Sequence, residues 1–371
     1  MNPTVLLYYC YFPEPMSHAD ADELIIWQRE NASSLGLNGR IRVALEGLNA
    51  NLSGPREAID AYCAGLSAWR EGAMGVIDFK LAPTTAELEF RGLKVWLAKD
   101  VVSFGADVQP SLPGGRHVSP HEFHNILHEA QSGERPSGSV VLFDARNLYE
   151  TRLGRFEVPR PDVADDRTSE SGDNAVQTYA PPTNTFTELP TYIDDLPAAV
   201  SSGSSSNLHG KTVLMYCTGG VRCERASQYL RAKHPDVSDV VQLSGGIHRY
   251  LEEFSDGGFW RGLNYVFDRR EVHGATNGDE NAKKPISACF TCAVPWASYK
   301  GKRRCAACRT LVLVCDLCQS KGLDKQLPPP GLMCEICRDK NDSVRSKPKQ
   351  KRCSADEVDD GVIVKLAKPE L

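Results

Sequence analysis

Residues 213–230 read VLMYCTGGVRCERASQYL. Val213 to Tyr216 is an apolar run too short for a helix and dense enough for a buried strand. Cys217 follows, then Thr218, Gly219, Gly220, Val221 and Arg222. From Cys223 the spacing turns helical, with Ala226, Tyr229 and Leu230 on one face and Glu224, Arg225 and Gln228 opposite. A cysteine therefore sits between a buried strand and a helix N-terminus, in a loop with two glycines. Backbone N–H groups converge in such a loop and hold an anion. The same field lowers a thiol's pKa, and Arg222 adds a fixed positive charge. A lone cysteine at the end of a core strand is ordinarily inert. Strand, Cys, Gly-Gly, Arg and helix in one run favour chemistry at Cys217.

Loop length narrows that chemistry. A Cys-x5-Arg loop cradles a tetrahedral phosphate; the spacing here is Cys-x4-Arg, which fits a smaller, sulfur-centred group. CTGGVR resembles the active loop of rhodaneses, and the resemblance implies that Cys217 carries sulfur. Upstream, Val140 to Phe143 reads as a strand ending at Asp144, followed by Ala145-Arg146-Asn147-Leu148-Tyr149-Glu150. A strand-end Asp with Arg two residues on is commonly a structural ion pair. Rhodaneses carry a similar D-x-R…(Y/F)E segment beside the active loop, so Asp144 and Arg146 are candidates to support it. Gly245-Gly246-Ile247 matches the rhodanese turn that closes near the cysteine.

The chain has 371 residues, enough for two or three domains, and its 41% hydrophobic and 25% charged content is that of an ordinary globular protein. No apolar run reaches the ~18 residues of a membrane span. The apolar start, Val5 to Phe12, lacks the basic flank and cleavage site of a secretory signal. Nine of the 13 cysteines lie after residue 288. A reducing cytoplasm or nucleus is expected, where such clustering points to metal.

In chain order, residues 5–13 read as a strand and Ser17-His18-Ala19-Asp20 as the start of a helix to Leu35. Gly39–Ala44 and Leu48–Leu52 read as paired strands, Pro55 opens a second helix to about Trp69, and strand returns at 79–81 and 93–102. This β-α-β-β-α-β order predicts a ferredoxin-like sandwich over residues 1–105. Beyond it, Ser119-Pro120 starts a helix, and strands alternating with helices predict a parallel sheet with its site at the strands' carboxyl ends. Residues 159–187 and the serine-rich 201–206 read as loop insertions, the first disordered. The fold class is thus α/β multidomain. It joins an acylphosphatase-like, ferredoxin-like α+β domain (1–105), a rhodanese α/β parallel-sheet domain (115–270), a small cysteine-rich zinc region (285–340) and a basic disordered tail (341–371).

Four C-x2-C pairs make up that region: Cys289/Cys292, Cys305/Cys308, Cys315/Cys318 and Cys334/Cys337. Two thiolates at this spacing converge on one tetrahedral ion, so eight imply two structural Zn2+ sites. Sequential pairing and cross-braced pairing, first with third and second with fourth, are both open. Residues 283–352 hold 16 Lys+Arg against 5 Asp+Glu in a chain of net charge −5. This basic end suits RNA phosphate, with Lys302, Arg303 and Arg304 as candidate RNA-binding residues.

Three blocks occur in order: GRIRVALEGLNANLSG at 39–54, the segment with DARNLYE, YCTGGVRCERAS and LSGGIHRYLEEF, and the cysteine pairs. Together they resemble the oxygen-dependent tRNA uridine hydroxylases, and look closest to a eukaryotic rhodanese-like branch with the extended cysteine-rich end. The resemblance implies an enzyme that hydroxylates carbon 5 of the wobble uridine in tRNA through Cys217. It also implies that the Glu and Asn of the 40–54 hairpin face a ligand, where the residues alone read as a structural turn. A sulfurtransferase that takes sulfane sulfur from thiosulfate or a small thiol is the alternative. A zinc-dependent binding module with a vestigial rhodanese domain is a third reading, which the intact loop disfavours. Cys223, next to Arg222, reads as a first-turn helix residue or a resolving thiol.

Overall fold

A computed structural model of the chain describes residues 3–72, 74–84, 90–108, 114–160, 175–196, 208–265, 272–273, 285–301, 303–327 and 331–338. The compact body runs to Cys334. Lys302, the tail from 341 and the serine-rich 201–206 lie outside the described residues.

The N-terminal domain follows the predicted order: β1 (Thr4–Tyr11), α1 (His18–Ser34), β2 (Asn38–Ala44), β3 (Gly47–Gly54), α2 (Arg56–Ala68) and β4 (Lys80–Pro83). A further strand, β5 (Leu93–Leu97), is shorter than the expected 93–102. The sheet order is β4-β1-β3-β2-β5, with β5 parallel to β2 and the other neighbours antiparallel. Ser17 caps α1 by accepting from the Asp20 amide at 3.1 Å. Strand alternation divides the sheet. Leu6, Tyr8, Ile41, Val43, Leu48, Ala50 and Leu52 turn inward and pack with Leu24, Ile59 and Leu66 of the helices. The opposite face carries Leu7, Tyr9, Arg40, Arg42, Asn49 and Asn51.

The second domain is a five-stranded parallel sheet. Its strands are β6 (Arg116–Val118), β7 (Val140–Asp144), β9 (Gln177–Tyr179), β10 (Thr212–Tyr216) and β11 (Asp239–Leu243), in the order β6-β11-β10-β7-β9. Full burial of Val140–Asp144 and of Val213–Tyr216 explains their unbroken apolar runs. Helices α3 (Pro120–Ser132), α5 (Leu189–Asp195), α6 (Val221–Lys233) and α7 (Gly246–Glu253) cover the sheet. A short ribbon of β8 (Gly154–Phe156) and β12 (Trp260–Gly262) flanks it, after the one-turn α4 (Leu148–Thr151).

The insertion expected over 159–187 is corrected over its last part. Residues 177–179 form β9, the edge strand that pairs with β7, and Val176 and Tyr179 are buried. A three-residue edge strand gains its stability from the partner strand, so the polar composition around it hides it from a propensity argument. Residues 161–174 lie outside the described residues.

The cysteine-rich region has only short elements, chiefly α8 (Asp316–Ser320). Its Tyr299, Leu311 and Leu313 share a core with Leu153 and Tyr265 of the second domain, and Tyr299 donates to the Tyr149 carbonyl at 2.6 Å.

Candidate active site

Cys217 stands at the carboxyl end of the central strand β10, fully buried. The loop after it turns back at Gly220, which has φ 100°, and α6 begins at Val221. The Gly220 amide donates to Cys217 Sγ at 3.1 Å. Ile247 and His248 at the start of α7 donate their amides to the carbonyls of Cys217 and Thr218 at 3.0 and 3.1 Å. Gly246 makes that approach possible: at φ 65°, a Cβ would lie 2.5 Å from the Cys217 carbonyl oxygen. The predicted Gly-Gly turn therefore clamps the loop, as expected.

Burial by itself would raise the Cys217 pKa. Hydrogen bonding from the Cys223 thiol, the charge of Arg222 and the amides of Arg222 and Gly219 outweigh it and bring it down to about 5. Cys217 is a thiolate at neutral pH. Cys223, by contrast, is pushed well above the usual thiol range by burial and by the neighbouring sulfur, so it remains the hydrogen-bond donor of the pair.

Arg222 reaches the site through a partner that sequence reasoning missed. Its guanidinium grips Glu150 with two bonds of 2.6 and 2.8 Å and approaches Thr218 Oγ1 at 3.3 Å. Glu150 closes a capping box with Asn147 at the start of α4, receiving the Asn147 amide at 3.1 Å. The N-x-x-E spacing of Asn147–Glu150 was the available signal. Asp144 and Arg146 lie one step further out. They form a buried ion pair at 2.6 Å, with Arg146 also donating to Gly154 O and its guanidinium 5.1 Å from the Trp260 ring. They brace the turn that presents Glu150. Of the remaining loop residues, Val221 packs against Ala44 and Val101.

That last contact reveals what the sequence did not: the N-terminal domain covers the loop. A Cβ on Gly219 would lie 3.2 Å from Leu7 and 4.0 Å from the Lys80 side chain, and one on Gly220 would lie 2.6 Å from the Tyr9 hydroxyl. Tyr9 donates to Glu224 at 3.3 Å. Lys80 is fully buried, paired to Asp78 at 2.6 Å, and its pKa is lowered by burial against the pull of Asp78. Two ion pairs clamp the domains: Arg225 with Glu46, and Arg249 with Asp78, where Arg249 Nε lies 3.1 Å from the carboxylate. Arg225 is thus buried, although helical spacing put it on the polar face of α6. Glu46 also accepts from the Val101 amide at 2.9 Å, and Asn49 donates to the Val101 carbonyl at 3.2 Å. These two hairpin side chains are used structurally; Asn51 is not.

The eight cysteines gather in two sets, Cys289, Cys292, Cys315 and Cys318, and Cys305, Cys308, Cys334 and Cys337, with the sulfurs of each set within 4.8 Å of one another. The pairing is cross-braced. Sulfur separations of 3.7 Å (Cys292 to Cys315) and 3.5 Å (Cys308 to Cys334) match the ~3.8 Å edge of a tetrahedron with 2.3 Å metal–sulfur bonds. Backbone amides aim at the sulfurs, as from Cys315 to Cys289 at 3.2 Å. Both sets could hold a metal ion.

The basic residues beside them have other partners. Arg303 pairs with the buried Asp324 at 2.6 Å, and Arg304 donates to the Arg309 carbonyl at 2.7 Å. Arg303 is thus charge-compensated, whereas the carbonyl bond leaves the charge of Arg304 uncompensated.

Residues 3–101 match the family described as UPF0176 acylphosphatase like domain, and residues 261–338 match Rhodanase C-terminal. The chain is 37% identical to the Rhodanese-like domain-containing protein 6 of Arabidopsis thaliana, over 90% of this chain and 52% of that protein. It therefore spans about half of that relative. It is 34% identical to a tRNA uridine(34) hydroxylase of Pseudarthrobacter chlorophenolicus, over 85% of this chain and 93% of that one. For the enzyme of the same description in Rhodococcus erythropolis the identity is 32%, over 85% and 96%. Among the described residues no helix is long and apolar enough to cross a membrane.

Proposed function

The chain belongs to the tRNA uridine(34) hydroxylase family, and from that premise we propose that it hydroxylates carbon 5 of the wobble uridine in tRNA, with Cys217 as the reactive group. One observation carries the reading: a buried cysteine at the end of β10, ringed by amides and held as a thiolate near pKa 5. A thiolate is nucleophilic at neutral pH where a thiol is not. In this reading the loop amides of residues 218–222 and the Arg222 charge stabilise the sulfur anion. Glu150 keeps Arg222 in place, and Asp144 and Arg146 keep Glu150 in place. The family resemblance implies dioxygen as the oxidant; one oxygen atom would go to carbon 5 and the other leave as water, so the reaction also consumes two protons and two electrons from an external reductant.

The two cysteine sets hold structural zinc, since four thiolates at tetrahedral spacing suit that ion and the region has few large apolar residues to fold on otherwise. Zinc there organises the segment that carries Tyr299 against Tyr149, next to Glu150. It takes no part in the chemistry at Cys217.

A second reading has support of its own. The Cys-x4-Arg loop has the size and amide lining to hold a persulfide, so a sulfur-transfer step with thiosulfate or a small thiol is compatible with the same residues. Mass spectrometry of tRNA nucleosides separates the two. Cells lacking the protein should lose hydroxylated wobble uridine, restored by the wild-type chain and not by Cys217→Ser. Loss of a thiolated nucleoside instead would establish sulfur transfer.

A further inference from the structure

At the cysteine-rich end Arg303 is paired to Asp324, which removes one of the cations expected to meet a polynucleotide. The outer face of the N-terminal sheet has two cross-strand rows, fixed by the register. One runs Lys80, Leu7, Asn51, Arg40, Lys94 across β4, β1, β3, β2 and β5; the next runs Tyr9, Asn49, Arg42, Trp96. Four of the nine positions are cationic and none is acidic; Lys80 is buried against Asp78, and Arg42 and Asn49 donate to the Val101 carbonyl, so the exposed cations of the face are Arg40 and Lys94. One end of this face is the part that touches the Cys217 loop, through Lys80, Leu7 and Tyr9. At the other end Arg40 and Lys94 are exposed; Arg40 donates to the carbonyls of Gly39 and Gly92 at 2.8 and 3.1 Å, neutral partners that leave its charge uncompensated. There the Trp96 ring has Arg42 at 5.7 Å and Lys94 at 5.1 Å from its centroid. Between the two ends, Asn51 Oδ1 is buried and has no hydrogen-bond partner among the described residues. Strands lie ~4.8 Å apart, so Arg40 is about 10 Å and Lys94 about 14 Å from the strand that meets the cysteine loop.

We propose that this face binds single-stranded RNA and leads it to Cys217. The inference rests on the tRNA reading above and adds the place where the substrate lies. Its chemistry is that of sheet surfaces that take splayed nucleotides: an aromatic ring on which a base stacks, cations for the phosphates around it, and an amide for a base edge. A uridine must leave the stack of its loop to reach a buried sulfur, and stacking on Trp96 compensates a neighbouring base for that loss. A face with cations and no acidic side chain in either row suits phosphate.

The test uses the full chain and a synthetic anticodon stem-loop with uridine at the wobble position, titrated at several salt concentrations. Arg40→Ala with Lys94→Ala should weaken binding and flatten the salt slope by about 1.4, at ~0.7 per lost phosphate contact with a single strand. Trp96→Ala should weaken binding by roughly 5- to 150-fold with the slope unchanged, the range expected for one stacked base. Arg40→Lys and Trp96→Phe should retain most of the affinity, which separates lost contacts from lost fold. Wild-type affinity and slope in both alanine variants would overturn the inference while leaving the tRNA reading intact. Loss of slope only in an Arg303→Ala/Arg304→Ala variant would also overturn it, moving the RNA to the cysteine-rich end. A wild-type chain that does not bind the stem-loop would remove the inference and the tRNA reading together.

Discussion

At the residue scale the decisive balance is at Cys217. Burial opposes its ionisation, and the Cys223 thiol, Arg222 and two amides overcome that cost. Alkylation of Cys217 by iodoacetamide should therefore inflect near pH 5, against ~8.5 for an ordinary thiol. An inflection at the ordinary value would show that the loop does not activate the sulfur. The folded pKa lies below the unfolded one. This group's contribution to stability is thus complete above ~8.5 and is lost as the pH falls through about 5. Glu150 matters for a different reason: with Arg222 it forms a nearly solvent-free bidentate pair. Glu150→Ala strands a buried guanidinium and should destabilise the chain by about 3–5 kcal/mol in urea unfolding. Glu150→Gln, which keeps an acceptor, should cost less. Equal stability of Glu150→Ala and wild type would mean that the pair is not buried in solution.

At the element scale, the loop holds its shape because α7 begins against it. Gly246 occupies left-handed backbone with its neighbour's carbonyl 2.5 Å from where a Cβ would be. Gly246→Ala must push α7 away from residues 217–219, break the two amide bonds from Ile247 and His248, and loosen the amide ring around the sulfur. The alkylation inflection of this variant should move upward toward the ordinary thiol value. If it stays near that of the wild type, the turn is not what holds the loop. Strand burial separates β7 and β10, legible in the sequence, from β9, which is not. Central parallel strands are buried on both faces and must be apolar throughout, whereas an edge strand of three residues carries little composition of its own.

At the scale of the whole molecule, the site is shared between domains. Cys217 is buried because the outer face of the N-terminal sheet lies over its loop, fastened by Arg225 to Glu46 and Arg249 to Asp78. Arg225→Ala leaves Glu46 without its buried partner and should open this seam. A bulky maleimide should then label Cys217 several-fold faster than in wild type, with the pH of inflection little changed. Unaltered labelling would mean the covering does not limit access. The cysteine sets are interlocked too: the 305/308 knuckle lies in sequence between the two knuckles of the other set. Preparations should contain two equivalents of zinc, and Cys315→Ser should release both under mild chelation, since each set holds a segment that the other needs. A stable one-zinc species with its C-terminal structure intact would show that the sets are independent.

The sequence by itself determined the elements and their local chemistry. Strand alternation in β1 to β3, the buried runs of β7 and β10, the Cys-x4-Arg loop and the C-x2-C knuckles all depend on residues close along the chain, where period and spacing are readable. It also named the closing Gly-Gly turn and the cysteine that the turn clamps. Only the tertiary structure decided what meets across long separations. Glu150 grips Arg222 from 72 positions away, Lys80 and Tyr9 come to the cysteine from another domain, and the knuckles pair first with third rather than first with second. Local periodicity contains no information on which face covers which. This shows in Arg225, which spacing assigns to solvent and packing buries against Glu46, and in Arg303, which packing pairs with the buried Asp324.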